Sequence, residues 1–337
     1  MSEFLYKPKY TLTDEIVTLV ADIAVKVAVL AIRSGMEQNP KLRRINRVKS
    51  IQSSLAIENN TLTVEQVTAL LDGKRVLASP QDILEAQNAI QAYNKLLGWN
   101  PHDVDDLQSA HGILLKGLVA EAGRFRSGFV GIARGDEIIH IAPPAIDVSE
   151  LMADLFRWVD GAKVHPLIKS CVFHYEFEFI HPFQDGNGRM GRMWQTLLLS
   201  QWKQIFAWLP VESIVRDRQQ EYYAALSHSN EAMDSTEFVA FMLNALNDTI
   251  DGYADQDGDQ ATDQVKRLFD VLGTSALSAL ELMSLLDLRH RPTFRQNYLR
   301  PALDAELIEM TLPDAPNSRN QRYRRKSNYT DEHLNLP

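Results

Sequence analysis

Helical periodicity constrains the fold of this chain more than any other feature of its sequence. Apolar residues recur at spacings of three and four along most of its 337 residues, a pattern typical of helices that bury one face. The segments with this pattern are 16–32, 64–71, 83–97, 107–118, 151–159, 167–179 and 193–202. We therefore expect a mainly α-helical protein.

One β-rich stretch, residues 129–142, interrupts the helical pattern. Two groups of β-branched residues flank Gly135-Asp136, and Pro143-Pro144 follows the second group. A glycine-containing turn between such groups indicates a hairpin, and the prolines end it. The sequence therefore predicts a small β-hairpin within a helical fold.

Length and composition set broad limits. A chain of this length favours two domains, and the formal net charge of −9 argues against attraction of the whole protein to nucleic acid. The single cysteine, Cys171, excludes an intramolecular disulfide and suits a reducing compartment. The N-terminus lacks the pattern of a signal peptide, and the segment 16–32 is too short and too charged to span a bilayer. We expect a cytoplasmic protein with no membrane partner.

The segment 181–192 joins two of the predicted helices. Pro182 disfavours helical geometry at the residue before it, so we expect His181 on a loop. The run Gly186-Asn187-Gly188 can take positive φ and lets a ligand approach the backbone. A helix that begins near Gly188 would offer free N–H groups to an anion.

The charged residues of this segment indicate phosphate chemistry. Arg189 and Arg192 share a face in the first helical turn, where cations oppose the helix macrodipole unless an anion binds them. Asp185 is a hard ligand of the kind that Mg²⁺ prefers, and His181 has a pKa suited to a general base. The alternative is a glycine-containing turn before a surface helix. The joint occurrence of base, acid, glycines and arginines favours a functional site.

The segment resembles the signature of the Fic family, HPFx(D/E)GNGRxxR, at every defined position. Residues 122–126 and the hairpin after them resemble the family's target-docking flap, and 174–180 resembles the helix that leads into the motif. The resemblance extends over residues 10–250. It implies a mainly α fold: the Fic helical bundle with a β-hairpin flap, followed by a C-terminal winged helix-turn-helix domain of the kind that some bacterial members carry.

The resemblance also implies roles for individual residues. His181 would be the base that deprotonates the acceptor hydroxyl, and Asp185 would be the ligand of Mg²⁺. The implied substrate is ATP, from which AMP moves to a Ser, Thr or Tyr hydroxyl of a target protein or of the protein itself. The nucleotide would be bound by Gly186, Asn187, Gly188, Arg189 and Arg192.

A second motif lies upstream. Ser54 and Glu58 are four residues apart and share a helix face, and Asn59-Asn60 is a plausible helix stop. Taken alone, this is the end of an amphipathic helix with one solvated glutamate. The string also fits the family's inhibitory motif, (S/T)xxxE(G/N). That resemblance implies that Glu58 pairs with Arg192 and displaces it from the γ-phosphate, and it leaves open that Glu58 activates water to remove AMP.

We expect four regions: an N-terminal helical region with the inhibitory helix (1–100), a catalytic core (101–250), an acidic segment (251–263) that is an interdomain linker or a frayed helix end, and a winged-helix domain (264–337). In the last region, 264–272 is predicted as a first helix and Ser278 as the cap of a second. A third helix opens at Thr293 and ends or kinks at Pro301. Strands are expected at 307–310 and 321–323.

The segment 289–326 is basic, with nine basic and four acidic residues, a net charge of +5. Its third helix carries Arg295, Gln296, Asn297 and Arg300, side chains that can read base edges. Duplex DNA is therefore one candidate partner. Protein contact, including a homodimer, is the other, and the sequence leaves both open. The alternative function is a DNA-binding regulator whose Fic domain acts only on itself or its partner.

Overall fold

The computed structural model describes residues 6–33, 39–134, 137–273, 275–304, 307–313, 315–316 and 318–326. The protein is mainly helical, as predicted, and its chain forms two compact units, 1–251 and 252–337. The helices that begin in the first unit are α1 (Asp14–Arg33), α2 (Pro40–Ile57), α3 (Val64–Leu71), α4 (Pro80–Lys95), α5 (Val104–Leu114), α6 (Val148–Gly161), α7 (Pro166–Ile180), α8 (Asn187–Trp202), α9 (Val211–Asp217), α10 (Gln219–Ala232) and α11 (Thr236–Leu272).

The predicted hairpin is present in the first unit. Strands β1 (Gly131–Arg134) and β2 (Glu137–Ile141) pair in antiparallel fashion, with Gly131 opposite Ile141. The register shifts between Ile132 and Ala133, and such a bulge increases the local twist of a strand. Helices therefore surround a single short β element in this unit, as far as its described residues show.

Helices α7 and α8 form the centre of the first unit. α7 buries twelve of its fifteen residues and α8 buries thirteen of its sixteen. A helix that is buried on all sides has neighbours around its whole circumference. The loop 181–186 between these two helices is therefore held at both ends by a largely buried helix.

The ends of α2 and α3 follow the local sequence. Asn39 caps α2 by accepting a hydrogen bond from the Leu42 N–H. The helix ends at Ile57, and Asn59 takes a left-handed conformation with φ of 66°, which confirms the predicted helix stop. Thr63 and Gln66 form a reciprocal capping box at the start of α3, also as predicted.

The second unit contains the end of α11, three further helices and a small sheet. The elements are β3 (Leu277–Ser278), α12 (Ala279–Leu285), α13 (Arg291–Phe294), a π-helical segment (Arg295–Leu299), α14 (Arg300–Asp304), β4 (Ile308–Met310) and β5 (Arg322–Arg325). The strand order in the sheet is β3-β5-β4. Phe269, Leu282, Phe294 and Tyr323 are among the residues of its core. This order of elements agrees with the outline of a winged helix, an assignment that stays a prediction.

Two segments of the C-terminal half are more regular than their sequence indicates. α11 continues as helix through 251–263, the expected acidic linker, because isolated glycines such as Gly252 cost a helix only about 1 kcal/mol each. The role of this segment as a linker stays a prediction. The third helix of this region begins at Arg291 and continues past Pro301, so it does not end at the proline, and the kink there stays a prediction. A π-helical segment precedes Pro301, with the Arg300 N–H bonded to the Arg295 carbonyl, and this wider turn helps the helix accommodate a residue that lacks a backbone N–H.

Within the described part of the chain, no helix is long and apolar enough to cross a membrane.

Candidate active site

The loop between α7 and α8 places His181 outside both helices, as its position before Pro182 predicts. His181 has φ of 49° and ψ of 60°, a left-handed conformation rather than the extended one that usually precedes proline. Its N–H still bonds to the Phe177 carbonyl at 2.9 Å. A non-glycine residue in this region is uncommon, and such strain is concentrated at functional sites.

The rest of the loop is shaped by Gly186 and Asn187. Gly186 has φ of 79°, and a Cβ there would lie 2.5 Å from Leu115 Cδ2, so both conformation and space require glycine. The Asn187 amide donates to the Phe183 carbonyl (2.8 Å) and accepts from the Phe183 N–H (2.9 Å). Asn187 thus closes the loop with its side chain, while the first N–H groups of α8 lack acceptors within the helix.

Asp185, in this loop, lies next to Arg189, in the first turn of α8. The Asp185 side chain is 57% exposed, and Arg189 Nη2 is 3.4 Å from each of its oxygens. Arg189 Nη1 also lies 3.8 Å from Glu85 Oε1. A cluster of three or more metal-ligating side chains does not occur among the described residues. One exposed carboxylate nevertheless fits Mg²⁺, which keeps several waters and takes few protein ligands beside a phosphate.

The structure brings Glu58 and Ser54 to Arg192 across the site. Arg192 is 3% exposed, and its Nη2 donates to Glu58 Oε1 at 2.8 Å and to the Ser54 carbonyl at 3.1 Å. Its Nε donates to Ser54 Oγ at 3.3 Å. Burial lowers the pKa of Arg192, but the nearby Glu58 carboxylate more than offsets this effect, so the guanidinium keeps its charge.

Gly188 makes this ion pair sterically possible. A Cβ at Gly188 would lie 2.5 Å from Glu58 Oε1 and 3.0 Å from Arg192 Nη1. Gly188 itself is helical, so only Gly186 of the predicted pair takes positive φ. The second glycine of the motif therefore provides space for side chains rather than a special backbone conformation.

A second carboxyl group, Glu178, lies behind His181 and Arg192. Its Oε1 is buried without a hydrogen-bond partner in the described structure, 3.8 Å from His174 Nε2. Its Oε2 is 3.9 Å from His181 Nδ1. Burial raises the pKa of Glu178 to about 8, although the Arg192 charge opposes the shift. The group is therefore largely protonated at neutral pH.

His111, a residue of α5, contacts the loop 181–186 and holds it in place. Its Nδ1 accepts the Gly123 N–H at 2.8 Å, and its Nε2 lies 3.0 Å from the Asp185 carbonyl. The ring stacks on Phe183 with centroids 3.7 Å apart and an interplanar angle of 4°. Burial lowers the pKa of His111 to about 4, so the ring is neutral and Nε2–H donates to the Asp185 carbonyl.

The predicted residues therefore gather around one loop, with Ser54 and Glu58 supplied by α2 and its C-terminal cap. Four residues at the site are absent from the predicted set: Glu85, His111, Glu178 and Arg126, whose Nε donates to the His181 carbonyl at 2.8 Å. Glu178 lies three residues before His181, and this spacing, which places two side chains on one face of a helix, could have indicated that they lie close together. Glu85, His111 and Arg126 reach the site through tertiary packing, which no local sequence pattern indicates.

Two segments of the chain match protein families. The model of the Fic/DOC family matches residues 101–199, and that of the "Filamentation induced by cAMP protein Fic-like, C-terminal domain" matches 263–325. A Fic family protein from Desulfovibrio desulfuricans G20, of known crystal structure, is 52% identical with a TM-score of 0.73; the match covers 96% of this chain and 100% of that one. The chain therefore belongs to the Fic family.

More distant relatives are named "Protein adenylyltransferase Fic". That of Nematostella vectensis is 29% identical over 60% of this chain and 48% of its own length. That of Drosophila melanogaster is 30% identical over 64% of this chain and 44% of its own. The chain thus spans a little under half the length of these two relatives. Fic-1 (aa134–508) from C. elegans, at 21% identity and a TM-score of 0.58 over 72% of each chain, shares the fold.

The buried Glu178 predicts a pH dependence of stability. Its pKa of about 8 in the folded protein exceeds the ordinary glutamate value of 4.5, so its stabilising contribution is complete below pH 4.5 and is lost as pH rises towards 8. Glu178→Gln mimics the neutral acid and does not titrate. We expect the stability of this variant relative to wild type to increase between pH 5 and pH 8, in urea unfolding followed by tryptophan fluorescence.

All five tryptophans lie between residues 99 and 208, so their fluorescence follows the first unit. Glu150→Gln, at an exposed position, is the control and should show no such trend. A stability difference between Glu178→Gln and wild type that stays constant from pH 5 to pH 8 would contradict the raised pKa.

Proposed function

We propose that this protein is an adenylyltransferase that transfers AMP from ATP to a hydroxyl group of a target protein. The observation that carries the proposal is the arrangement around residues 181–192: His181 stands outside the helices, next to the start of α8, where Arg189, Arg192 and Asp185 cluster. The names of the relatives at 29–30% identity support the same reaction.

In this reaction His181 is the general base. Its Nδ1 lies 3.3 Å from the Glu178 carbonyl, an arrangement that favours the tautomer with hydrogen on Nδ1, in which Nε2 carries the lone pair that accepts a proton. The acceptor oxygen forms a bond to the α-phosphorus of ATP. The bond between that phosphorus and the oxygen that bridges the α- and β-phosphates breaks, and pyrophosphate leaves. The hydroxyl proton goes to His181.

The nucleotide phosphates would lie at the N-terminus of α8. Its free N–H groups and the guanidinium groups of Arg189 and Arg192 supply the positive charge that a triphosphate needs. Asp185 would hold Mg²⁺, which neutralises phosphate charge in reactions of this kind. Positioning and charge compensation account for most of the catalysis of phosphoryl-type transfers.

The hairpin β1–β2 is the proposed docking surface for the acceptor segment. A two-stranded sheet leaves unpaired backbone groups along its edges, and an extended peptide can add to such an edge as a further strand. The end of the hairpin is connected to the loop 181–186, the proposed catalytic loop, because Arg126 donates hydrogen bonds to both the Pro143 carbonyl and the His181 carbonyl.

Glu58 is the proposed inhibitor of the transfer reaction. It occupies Arg192 through a charge-assisted hydrogen bond of 2.8 Å, so that a γ-phosphate would have to compete for the same guanidinium. ATP bound with misplaced phosphates reacts slowly, because displacement by about 1 Å can cost about 100-fold in rate. The same carboxylate is also the candidate to activate water if the protein removes AMP from a modified target.

The role of His181 predicts that His181→Ala lowers transfer by about 10²–10⁴-fold, the usual effect of losing a general base. ATP should still bind, because Arg189, Arg192 and the start of α8 are unchanged. Rates of self-modification and nucleotide affinity by calorimetry test the two statements separately. Transfer at the wild-type rate would exclude His181 as the base, and loss of ATP binding would show that His181 acts in nucleotide binding instead.

The inhibitory pair predicts that Glu58→Gly raises the initial rate of self-modification at saturating Mg-ATP, by up to about 100-fold. Glu58→Gln, which keeps the shape but not the charge, should give a smaller increase. Glycine at this helix end costs about 1 kcal/mol of stability, which thermal melting will show. Equal or lower rates in both variants would refute autoinhibition. An increase that survives Arg192→Ala would show that Glu58 inhibits through another group.

The second unit favours a second candidate function, binding of duplex DNA. Arg289, Arg291, Arg295 and Arg319 are exposed, and none forms an ion pair within the described residues. By contrast, Arg322 pairs with Glu281 in the same unit. Unpaired arginines before and along a helix suit phosphate groups, whose binding depends strongly on salt.

We therefore expect the full chain to bind duplex DNA weakly and its affinity to fall steeply as the salt concentration rises. A plot of the logarithm of the association constant against the logarithm of the salt concentration should have a slope of about −0.9 for each phosphate neutralised. Arg291→Glu with Arg295→Glu should reduce both affinity and slope, whereas Arg157→Glu in α6 should change neither. Fluorescence anisotropy with a labelled duplex measures both quantities. Absence of binding at low salt would favour protein contact as the role of this surface.

A further inference from the structure

Arg126 is a buried arginine, 3% exposed, whose three side-chain nitrogens all donate to main-chain carbonyls. Nε donates to the His181 carbonyl at 2.8 Å and Nη1 to the Gly128 carbonyl at 2.9 Å. Nη2 donates to the carbonyls of Pro143 at 2.6 Å and Ile180 at 3.3 Å. None of the carboxylates in the described structure pairs with this guanidinium, so the carbonyls alone compensate its charge.

These acceptors belong to three separate parts of the first unit. Ile180 and His181 lie at the C-terminal end of α7, where helix carbonyls lack partners and the macrodipole favours a cation. Gly128 and Pro143 lie just before β1 and just after β2, so they mark the two bases of the hairpin. The Arg126 N–H adds a bond to the Pro182 carbonyl at 2.9 Å.

The neighbouring residues extend this connection to the other side of the loop. His111 accepts the Gly123 N–H and donates to the Asp185 carbonyl. The short stretch 123–126 is therefore attached to both sides of the catalytic loop, through His111 at one end and through Arg126 at the other. Of these two attachments, only that of Arg126 also reaches the hairpin.

We propose that Arg126 is a positioning residue that sets the placement of the hairpin relative to His181, and through it the placement of the acceptor hydroxyl. The inference rests on the proposed function in one respect, that the hairpin holds the acceptor. None of the hydrogen bonds that Arg126 forms in the described structure involves the proposed nucleotide-binding residues Arg189 and Arg192. Its loss therefore acts on acceptor placement and leaves ATP binding intact.

The test uses the full chain with Glu58→Gly as parent, so that inhibition does not mask the rate. Arg126→Met removes all the side-chain hydrogen bonds and keeps an unbranched side chain. Arg126→Lys keeps the positive charge and some of the hydrogen bonds. We expect self-modification to fall by about 100-fold in the methionine variant, the cost of a displacement of about 1 Å. The lysine variant should be intermediate. The ATP affinity of both should stay within about threefold of the parent, a split that general unfolding would not produce.

Hydrogen exchange provides a readout that does not need activity. In Arg126→Met we expect exchange to accelerate about tenfold at the amides of Arg126, His181 and Ala142. The amides of residues 197–202 in α8 should be unchanged. Arg157→Met, the substitution of an exposed arginine in α6, is the matched control and should alter neither transfer nor exchange at these positions.

The outcomes separate this inference from the proposed function. If the parent transfers no AMP, the proposed function fails, and the exchange result alone decides whether Arg126 joins the hairpin to the loop. If the parent is active and Arg126→Met transfers at a similar rate, or if exchange is unchanged, the positioning role is overturned. If Arg126→Met does not fold, Arg126→Lys decides: transfer equal to the parent, or ATP affinity lost together with transfer, overturns the role.

Discussion

The structure around the catalytic loop depends on a buried guanidinium that requires an anion. Arg192 lies in the second turn of α8 and is 3% exposed, in a position where the helix dipole offers no compensation for positive charge. Glu58 supplies that anion from the end of α2, and Ser54 satisfies two further donor contacts. Leaving such a charge buried without a partner would cost several kcal/mol. Arg192 therefore requires either Glu58 or another anion in its place.

This requirement explains several neighbouring features. Gly188 lacks a side chain because the Glu58–Arg192 pair fills the space that a Cβ would occupy. Glu178 lies close to the same charge yet stays largely protonated, since burial without a hydrogen-bond partner outweighs the attraction of Arg192. A neutral Glu178 does not compete with Glu58 or with phosphate for Arg192. Glu58 is therefore the group that an incoming phosphate would have to replace at Arg192.

The sequence predicts the local features of the site well and the long-range ones poorly. The break at His181, the positive φ of Gly186 and the start of α8 follow from proline and glycine within a few residues, where local sterics dominate. The pairing of Glu58 with Arg192 was expected only from the resemblance to the Fic family. Arg126 bonds to carbonyls as distant as residue 181, and no local pattern encodes such contacts. The helix through 251–263 and the π-helical segment before Pro301 were missed, because both depend on how a helix tolerates isolated glycine or proline.

We propose that Arg192 exchanges Glu58 for the γ-phosphate of ATP. This exchange can be observed in a crystal structure of the Glu58→Gly protein with Mg²⁺ and a non-hydrolysable ATP analogue, compared with the wild-type protein crystallised with the same ligands. In the variant we expect Arg192 to contact the γ-phosphate and the α-phosphate to face His181. In the wild type we expect Glu58 to stay paired with Arg192 and the phosphates to be displaced. Identical phosphate positions in the two proteins, or a nucleotide bound away from the start of α8, would contradict the proposed exchange.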